Sequence, residues 1–153
     1  SDSDFTRLAT RLREAGMKVI GIGEKKTLTP FITACDKFIY LEILNPENDE
    51  TTETTSKEQN EKNKQTPKKP LSKINPEIIK LIGVSIGDLA DDDGWAYLGD
   101  LGNLILKKKP DFDSRNYGYP KLLSFIKSLQ KFEIDERNAG KNNIKHLYVS
   151  KKN

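Results

Sequence analysis

Two aspartates at the start of the chain are the first residues whose spacing could do chemistry. Asp2 and Asp4 alternate just ahead of a predicted helix. If they follow a strand of an α/β sheet, their carboxylates lie at the carboxyl edge, where such sheets bind ligands. Carboxylate oxygens suit a hard divalent cation such as Mg²⁺, which can activate water and stabilise a phosphodiester transition state. The alternative is structural: Asp4 caps the helix and Asp2 is solvated.

A second candidate set combines basic residues with tyrosines near the other end of the chain. The formal net charge is −4 over residues 74–113 and +6 over residues 114–153, although the whole chain carries only +3. Lysine and arginine neutralise phosphates, and tyrosine rings can stack on exposed bases. The alternatives are an ordinary solvated basic face and tyrosines that only seat a helix. The predicted RNA-contacting residues are Arg115, Tyr117, Lys121, Lys127, Arg137 and Lys141.

The single cysteine and the single histidine limit other chemistry. Cys35 has no partner for an internal disulfide, and together with His146 it cannot complete a tetrahedral zinc site. Cys35 follows Ala34 on an apolar face, so we predict a buried structural thiol. For His146, which lies within a predicted strand, we predict a structural role, with a phosphate contact as the alternative.

The first 44 residues are predicted to form helix, strand, helix and strand. Apolar residues recur at helical spacing from Phe5 to Ala15, with Asp4 as a possible N-cap and Gly16 as the stop. Residues 17–23 are apolar at nearly every position, as in a parallel strand covered on both faces. These elements are too few for a closed α/β domain. We therefore expect an α/β fragment, the end of a domain that begins upstream in a longer protein.

Residues 45–73 differ in composition from the segments on either side. They contain threonine, asparagine, glutamine and balanced charges, and Leu71 is their one large apolar residue. Such a stretch cannot bury enough apolar surface to offset the entropy lost on ordering. The sequence therefore predicts a disordered linker.

Residues 74–153 are predicted to form a small α+β domain. Helical apolar stripes run over about 76–91, 95–109 and 119–130. Two alternating segments follow, separated by the turn formers of residues 138–143. Three helices followed by a hairpin is the order of a winged helix, a relative of the helix-turn-helix.

The N-terminal segment resembles the end of the NYN domain, a PIN-like nuclease family, in its LabA-like branch. The matching motifs are Ser1-Asp2-Ser3-Asp4-Phe5, Arg11-Leu12-Arg13, Val19-Ile20-Gly21-Ile22-Gly23 and Ala34-Cys35-Asp36-Lys37-Phe38-Ile39. The resemblance implies the end of a PIN-like parallel sheet and a metal-dependent endoribonuclease. It also implies that Asp2 and Asp4 are catalytic metal ligands for Mg²⁺ or Mn²⁺ in the intact nuclease domain. Because the family's earlier acids lie upstream, we expect this chain alone to be inactive.

The C-terminal segment resembles a LOTUS domain, also called OST-HTH, over about residues 75–151. The matching motifs are Trp95-Ala96-Tyr97-Leu98-Gly99-Asp100-Leu101-Gly102, Pro110-Asp111-Phe112-Asp113, Tyr117-Gly118-Tyr119 followed by Lys121-Leu122, and Phe132-Glu133-Ile134. The resemblance implies a winged-helix fold and RNA binding, and some members dock protein partners instead.

Together these features predict a protein of RNA metabolism. The expected organisation is an NYN part over residues 1–44, a linker over 45–73 and a LOTUS winged helix over 74–153. One alternative is a protein-interaction module that docks a partner or self-associates, and another is a DNA-binding regulator with its third helix in a major groove. No apolar run of 18 residues is present, so we expect no membrane segment and a cytoplasmic location.

Overall fold

The computed structural model describes residues 2–44, 70–140 and 143–152. Most of the linker predicted over 45–73 therefore lies outside the described residues. Its last residues, 70–73, are described and are in contact with the fold. The Ser72 N–H donates to the Asn116 carbonyl at 2.8 Å. Leu71 packs against apolar side chains of the N-terminal segment.

The N-terminal segment has the predicted order of helix, strand, helix and strand, followed by one further helical turn. The elements are α1 (Asp2–Glu14), β1 (Ile20–Gly23), α2 (Thr29–Ala34), β2 (Lys37–Tyr40) and α3 (Leu41–Leu44). Strands β1 and β2 pair in parallel, with Ile20 opposite Lys37 and Gly23 opposite Tyr40. The predicted α/β alternation is thus confirmed as a parallel pair joined through a short helix.

Helix α1 ends as predicted but begins earlier. Gly16 has a left-handed φ of 80°, and the Met17 N–H donates to the Leu12 carbonyl, which closes the helix. The helix already includes Asp2, so Asp4 lies inside the first turn. The prediction that Asp4 is the N-cap is therefore wrong. A carboxylate in the first turn still interacts favourably with the positive end of the helix dipole.

The small core of this segment forms between β2 and α2. Its buried residues are Ile32, Cys35, Phe38 and Tyr40. A Cβ atom on Gly21 would lie 2.7 Å from the Cys35 Sγ and 2.8 Å from the Phe38 ring, so this close approach requires glycine. Burial raises the pKa of the Cys35 thiol. The prediction of a buried structural cysteine is confirmed.

The C-terminal domain contains three helices, a 3-10 helix and a three-stranded antiparallel sheet. The elements are α4 (Pro76–Leu89), β3 (Ala96–Tyr97), α5 (Leu98–Lys108), the 3-10 helix Ser114–Tyr117, α6 (Leu122–Leu129), β4 (Phe132–Ala139) and β5 (Ile144–Lys151). The strand order is β3-β5-β4. The predicted three helices and hairpin are confirmed.

Two predicted helices begin later than the apolar pattern indicated. Residues 95–97 do not start α5, because Ala96 and Tyr97 pair with β5 as strand β3. The third helix starts at Leu122, because Gly118 takes a left-handed φ of 86° and Pro120 follows it. In both places a local backbone feature interrupts a periodic stripe.

One core joins all parts of the C-terminal domain. Its fully buried side chains include Leu101 on α5, Phe125 on α6 and Val149 on β5. The complete buried cluster is Ile78, Ile82, Ile86, Ala96, Leu101, Ile105, Phe112, Phe125, Ile126, Phe132 and Val149. Helix α4 is capped at its start by Asn75, whose side chain accepts a hydrogen bond from the Ile78 N–H.

The N-terminal segment contacts the C-terminal domain along β2. The Phe38 N–H donates to the Pro110 carbonyl at 2.8 Å. The Tyr40 hydroxyl donates to Asp111 Oδ2 at 2.6 Å. Burial first, and then this hydrogen bond, raise the pKa of Tyr40 above its ordinary value. Lys25 Nζ also donates to the Leu71 carbonyl at 2.7 Å.

Candidate nucleic-acid interface

Two lysines of the predicted RNA face are exposed at α6. Lys121 is the residue before the helix, and Lys127 lies in its last turn. Within the described part of the chain neither lysine forms an ion pair. Lys127 also lines an open groove with Lys152 and Trp95, between the end of α6 and the start of β4. Both charges are thus available to a phosphate.

Arg115 is exposed but already has a carboxylate partner. Its Nε lies 3.0 Å from Asp113 Oδ1, and its Nη2 lies 2.7 Å from Asp113 Oδ2. Burial alone would raise the pKa of Asp113, but the hydrogen bonds and charge of Arg115 lower it below its ordinary value. Arg115 can therefore contact phosphate only through its remaining donors or by exchanging its partner.

Arg137 is held on the sheet by one acid and two aromatic rings. Its Nε donates to Asp135 Oδ2 at 2.9 Å, which raises the pKa of Arg137. Its guanidinium carbon lies 4.4 Å from the centre of the Tyr148 ring and 5.6 Å from that of Trp95. The guanidinium plane is therefore fixed before any ligand binds.

Tyr117 and Tyr119 both pack on the domain core. The Tyr117 ring stacks on Phe125 with the centres 4.9 Å apart and an angle of 27°, and the Tyr119 ring lies 5.7 Å from Phe125. Burial raises the pKa of Tyr117. Because Phe125 covers one face of the Tyr117 ring, this geometry disfavours base stacking there, and a stacking role for Tyr117 stays a prediction.

The remaining predicted site residues are not brought together with these. Lys141 lies outside the described residues. Asp2 and Asp4 both lie in the first turn of α1. Among the described residues no group of three or more His, Cys, Asp or Glu side chains could hold a metal ion. The described residues thus do not make a site for Mg²⁺ or Mn²⁺ by themselves.

The structure also brings together aromatic residues that the sequence patterns did not mark as a site. Tyr97 on β3 lies beside His146 and Tyr148 on β5, with ring centres 5.2 Å and 5.8 Å apart. The alternation of β5 places His146 and Tyr148 on one face, and that signal was available from the sequence. Tyr97 had no such signal, because β3 is only two residues long.

The order of helices and strands defines the C-terminal part as a winged-helix domain. Residues 69–144 match the OST-HTH/LOTUS domain family, and residues 1–42 match the NYN domain family. The chain therefore carries an NYN segment followed by an OST-HTH/LOTUS domain, as the sequence motifs predicted.

One solved structure is also similar to this chain. It is the solution NMR structure of an uncharacterized protein of Nitrosomonas europaea, with 35% sequence identity and a TM-score of 0.48. The match covers 67% of this chain and 92% of that chain. No curated protein matches the sequence. In the part of the chain that the structure describes, no helix has the length and apolar character needed to cross a membrane.

Proposed function

We propose that this protein binds RNA through the basic side of its LOTUS domain, formed by α6 and the β4–β5 hairpin. The two domain families indicate an RNA-related role. The observation that carries the proposal is the exposure of Lys121 and Lys127 on the half of the domain with a net charge of +6. Phosphate contacts from such lysines supply affinity without reading sequence.

The residues on this face contribute different kinds of contact. Lys121 and Lys127 supply point charges, while Arg115 and Arg137 present planar donors that Asp113 and Asp135 already orient. A planar guanidinium can contact phosphate in a bidentate manner, which fixes the position of the backbone. We therefore infer that the lysines determine how strongly the RNA affinity depends on salt. The arginines fix the position of the RNA backbone on the domain.

A salt titration of the full chain tests this face. For single-stranded RNA, log K falls with log salt by roughly 0.7 per phosphate neutralised. The double variant Lys121→Ala/Lys127→Ala should flatten the slope by about 1.4 and weaken binding at low salt. The control is Lys80→Ala/Lys107→Ala, which removes the same charge from exposed positions of the acidic half and should leave the slope unchanged.

Each alternative function corresponds to a distinct result of that titration. If the Lys121→Ala/Lys127→Ala variant binds RNA as tightly as the wild type, the RNA-binding surface does not lie on this face. Tighter binding to duplex DNA than to RNA would favour the DNA-binding regulator. Self-association or binding of a protein partner, with no RNA binding at all, would favour the interaction module.

We also infer that the NYN segment belongs to a metal-dependent ribonuclease. NYN domains are PIN-like nucleases that typically use divalent metal, which would activate water and stabilise the departing phosphate oxygen. We expect no RNA cleavage by this chain alone in Mg²⁺ or Mn²⁺, because Asp2 and Asp4 do not form a metal site without further acids. Cleavage by this chain would overturn that expectation.

The role of Asp4 is testable in a protein that carries this segment together with a whole NYN domain. There, Asp4→Asn should lower metal-dependent cleavage sharply. Glu14→Gln is a suitable control, because it removes one exposed carboxylate from the other end of the same helix. Full activity of the Asp4→Asn protein would remove this residue from the metal site.

A further inference from the structure

The outer face of the C-terminal sheet carries an aromatic cluster that the core does not use. Val149 points into the core, so its neighbour Tyr148 points to the opposite side of β5, together with His146. Tyr97 is paired with Tyr148 and lies on the same side. None of these three rings belongs to the buried core.

Tyr97 is the exposed ring of this cluster, with 38% of its surface open to solvent, while His146 and Tyr148 are half-buried. A Cβ atom on Gly99 would lie 2.7 Å from the Tyr97 ring, so the glycine leaves room for the ring against the start of α5. Within the described residues, the side chains of Tyr97, His146 and Tyr148 form no hydrogen bond. Their polar atoms thus remain available to a ligand.

Arg137 extends this aromatic surface with a flat cation. It is paired with His146 across the hairpin, and its guanidinium lies over the Tyr148 ring. Asp135 accepts from the Nε atom. The terminal nitrogens of the guanidinium keep their donors for a base edge or a phosphate.

We propose that Tyr97, His146, Tyr148 and Arg137 form a stacking site for unpaired bases of RNA. This inference rests on the proposed RNA binding and names the form of RNA that the domain selects. Aromatic rings and arginine planes stack on bases of any sequence, provided that a base face is uncovered. In a duplex both faces of each internal base are covered by neighbouring pairs, so a single strand or a loop is required.

The single tryptophan of the chain reports directly on this site. Trp95 is the only tryptophan, and its ring centre is 5.6 Å from the Arg137 guanidinium carbon. Titration of the full chain with single-stranded oligoadenylate should change the Trp95 fluorescence. The same strand annealed to its complement should bind more weakly and change the fluorescence less.

A matched pair of variants separates stacking from charge. Tyr97→Phe keeps the ring and should bind oligoadenylate within about twofold of the wild type. Tyr97→Leu should bind between about 5- and 150-fold more weakly, the range for losing one stacked base. The salt slope should stay the same in both variants, because neither alters a phosphate contact. His146→Ala tests the same surface if Tyr97→Leu fails to fold.

The results distinguish this inference from the proposed function. If folded Tyr97→Leu and His146→Ala proteins both bind oligoadenylate as tightly as Tyr97→Phe, the stacking site is wrong while the lysine face stands. If the duplex binds as tightly as the single strand, the requirement for unpaired bases is wrong. If the wild-type chain binds no RNA at any salt concentration, both proposals are overturned.

Discussion

The two matched parts of the chain bury their apolar residues to very different degrees. In the LOTUS domain every helix and strand contributes to one shared core. In the NYN segment the buried cluster has four residues, and large apolar side chains of α1, β1 and the connecting turns remain exposed. The exposed set is Phe5, Leu8, Met17, Ile20, Ile22 and Leu28.

Strand β1 shows the physical origin of this difference. Gly21 and Gly23 face the Phe38 ring, while Ile20 and Ile22 point to the other side and are more than half exposed. The apolar side chains of β1 thus lie on its uncovered face, and glycines lie on its covered face. Sequence hydrophobicity alone does not say which residues are buried, because burial also requires a second layer.

The largest predicted effect tests whether stability resides mainly in the C-terminal core. Phe125 is fully buried and contacts three aromatic rings. Phe125→Ala should lower the free energy of unfolding by about 3–5 kcal/mol, because it leaves a cavity. Ile22→Ala, at a side chain that is 56% exposed, should change it by about 0.5 kcal/mol or less. Urea denaturation measures both, and similar losses would contradict the comparison.

A smaller effect tests the contact between the two parts. Tyr40→Phe and Asp111→Asn should each weaken it, and a double-mutant cycle on the unfolding free energy should give a coupling of about 1–2 kcal/mol. Tyr97→Phe with Asp111→Asn is the control pair and should be additive, because Tyr97 has no hydrogen bond to Asp111. A coupling of zero for Tyr40 would mean that the two parts are not held by this bond.

Tyr40 also makes the stability of the folded protein fall at alkaline pH. The pKa of Tyr40 is raised in the folded protein, so its neutral form is favoured there. The stabilisation is fully present below about pH 10, the ordinary tyrosine value, and is lost as the pH rises beyond it. Tyr40→Phe should therefore reduce the alkaline loss of stability. Part of that loss should persist, because the pKa of Tyr117 is raised as well.

The smallest predicted effect concerns backbone strain at the C-terminal end of α6. Gln130 ends this helix with a positive φ of 53°, which side chains disfavour. Gln130→Gly should raise the unfolding free energy by roughly 0.5 kcal/mol, because glycine adopts this conformation without strain. Gln130→Ala is the control and should give no gain. Equal urea denaturation midpoints for the glycine and alanine variants would argue against backbone strain at this position.

The periodic spacing of apolar residues predicted most of the helices and strands. Features that involve only one or two residues, such as a short strand or a helix cap, were predicted poorly. The helical stripes located α4, α5 and α6, and the turn formers located the hairpin. Strand β3 was missed, because two residues cannot display an alternation. The N-cap at Asp4 was wrong, because a capping residue and a first-turn acid have the same composition signal.

The candidate site divides in a similar way. The exposed lysines could be predicted, because charge clustering is visible in one dimension. The pairing of Arg115 with Asp113 and the burial of Tyr117 against Phe125 could not, because both depend on three-dimensional packing. The aromatic cluster of Tyr97 and Tyr148 joins residues 51 positions apart, a contact that only the sheet register creates.

The hydrogen bond from the Phe38 N–H to the Pro110 carbonyl has a consequence for self-association. The outer edge of β2 would otherwise offer unpaired backbone groups, on which a strand of another molecule could add. The Pro110 carbonyl belongs to no strand and occupies the Phe38 N–H of this edge. The winged-helix domain thus leaves less of the β2 edge open to pairing with a strand of another molecule.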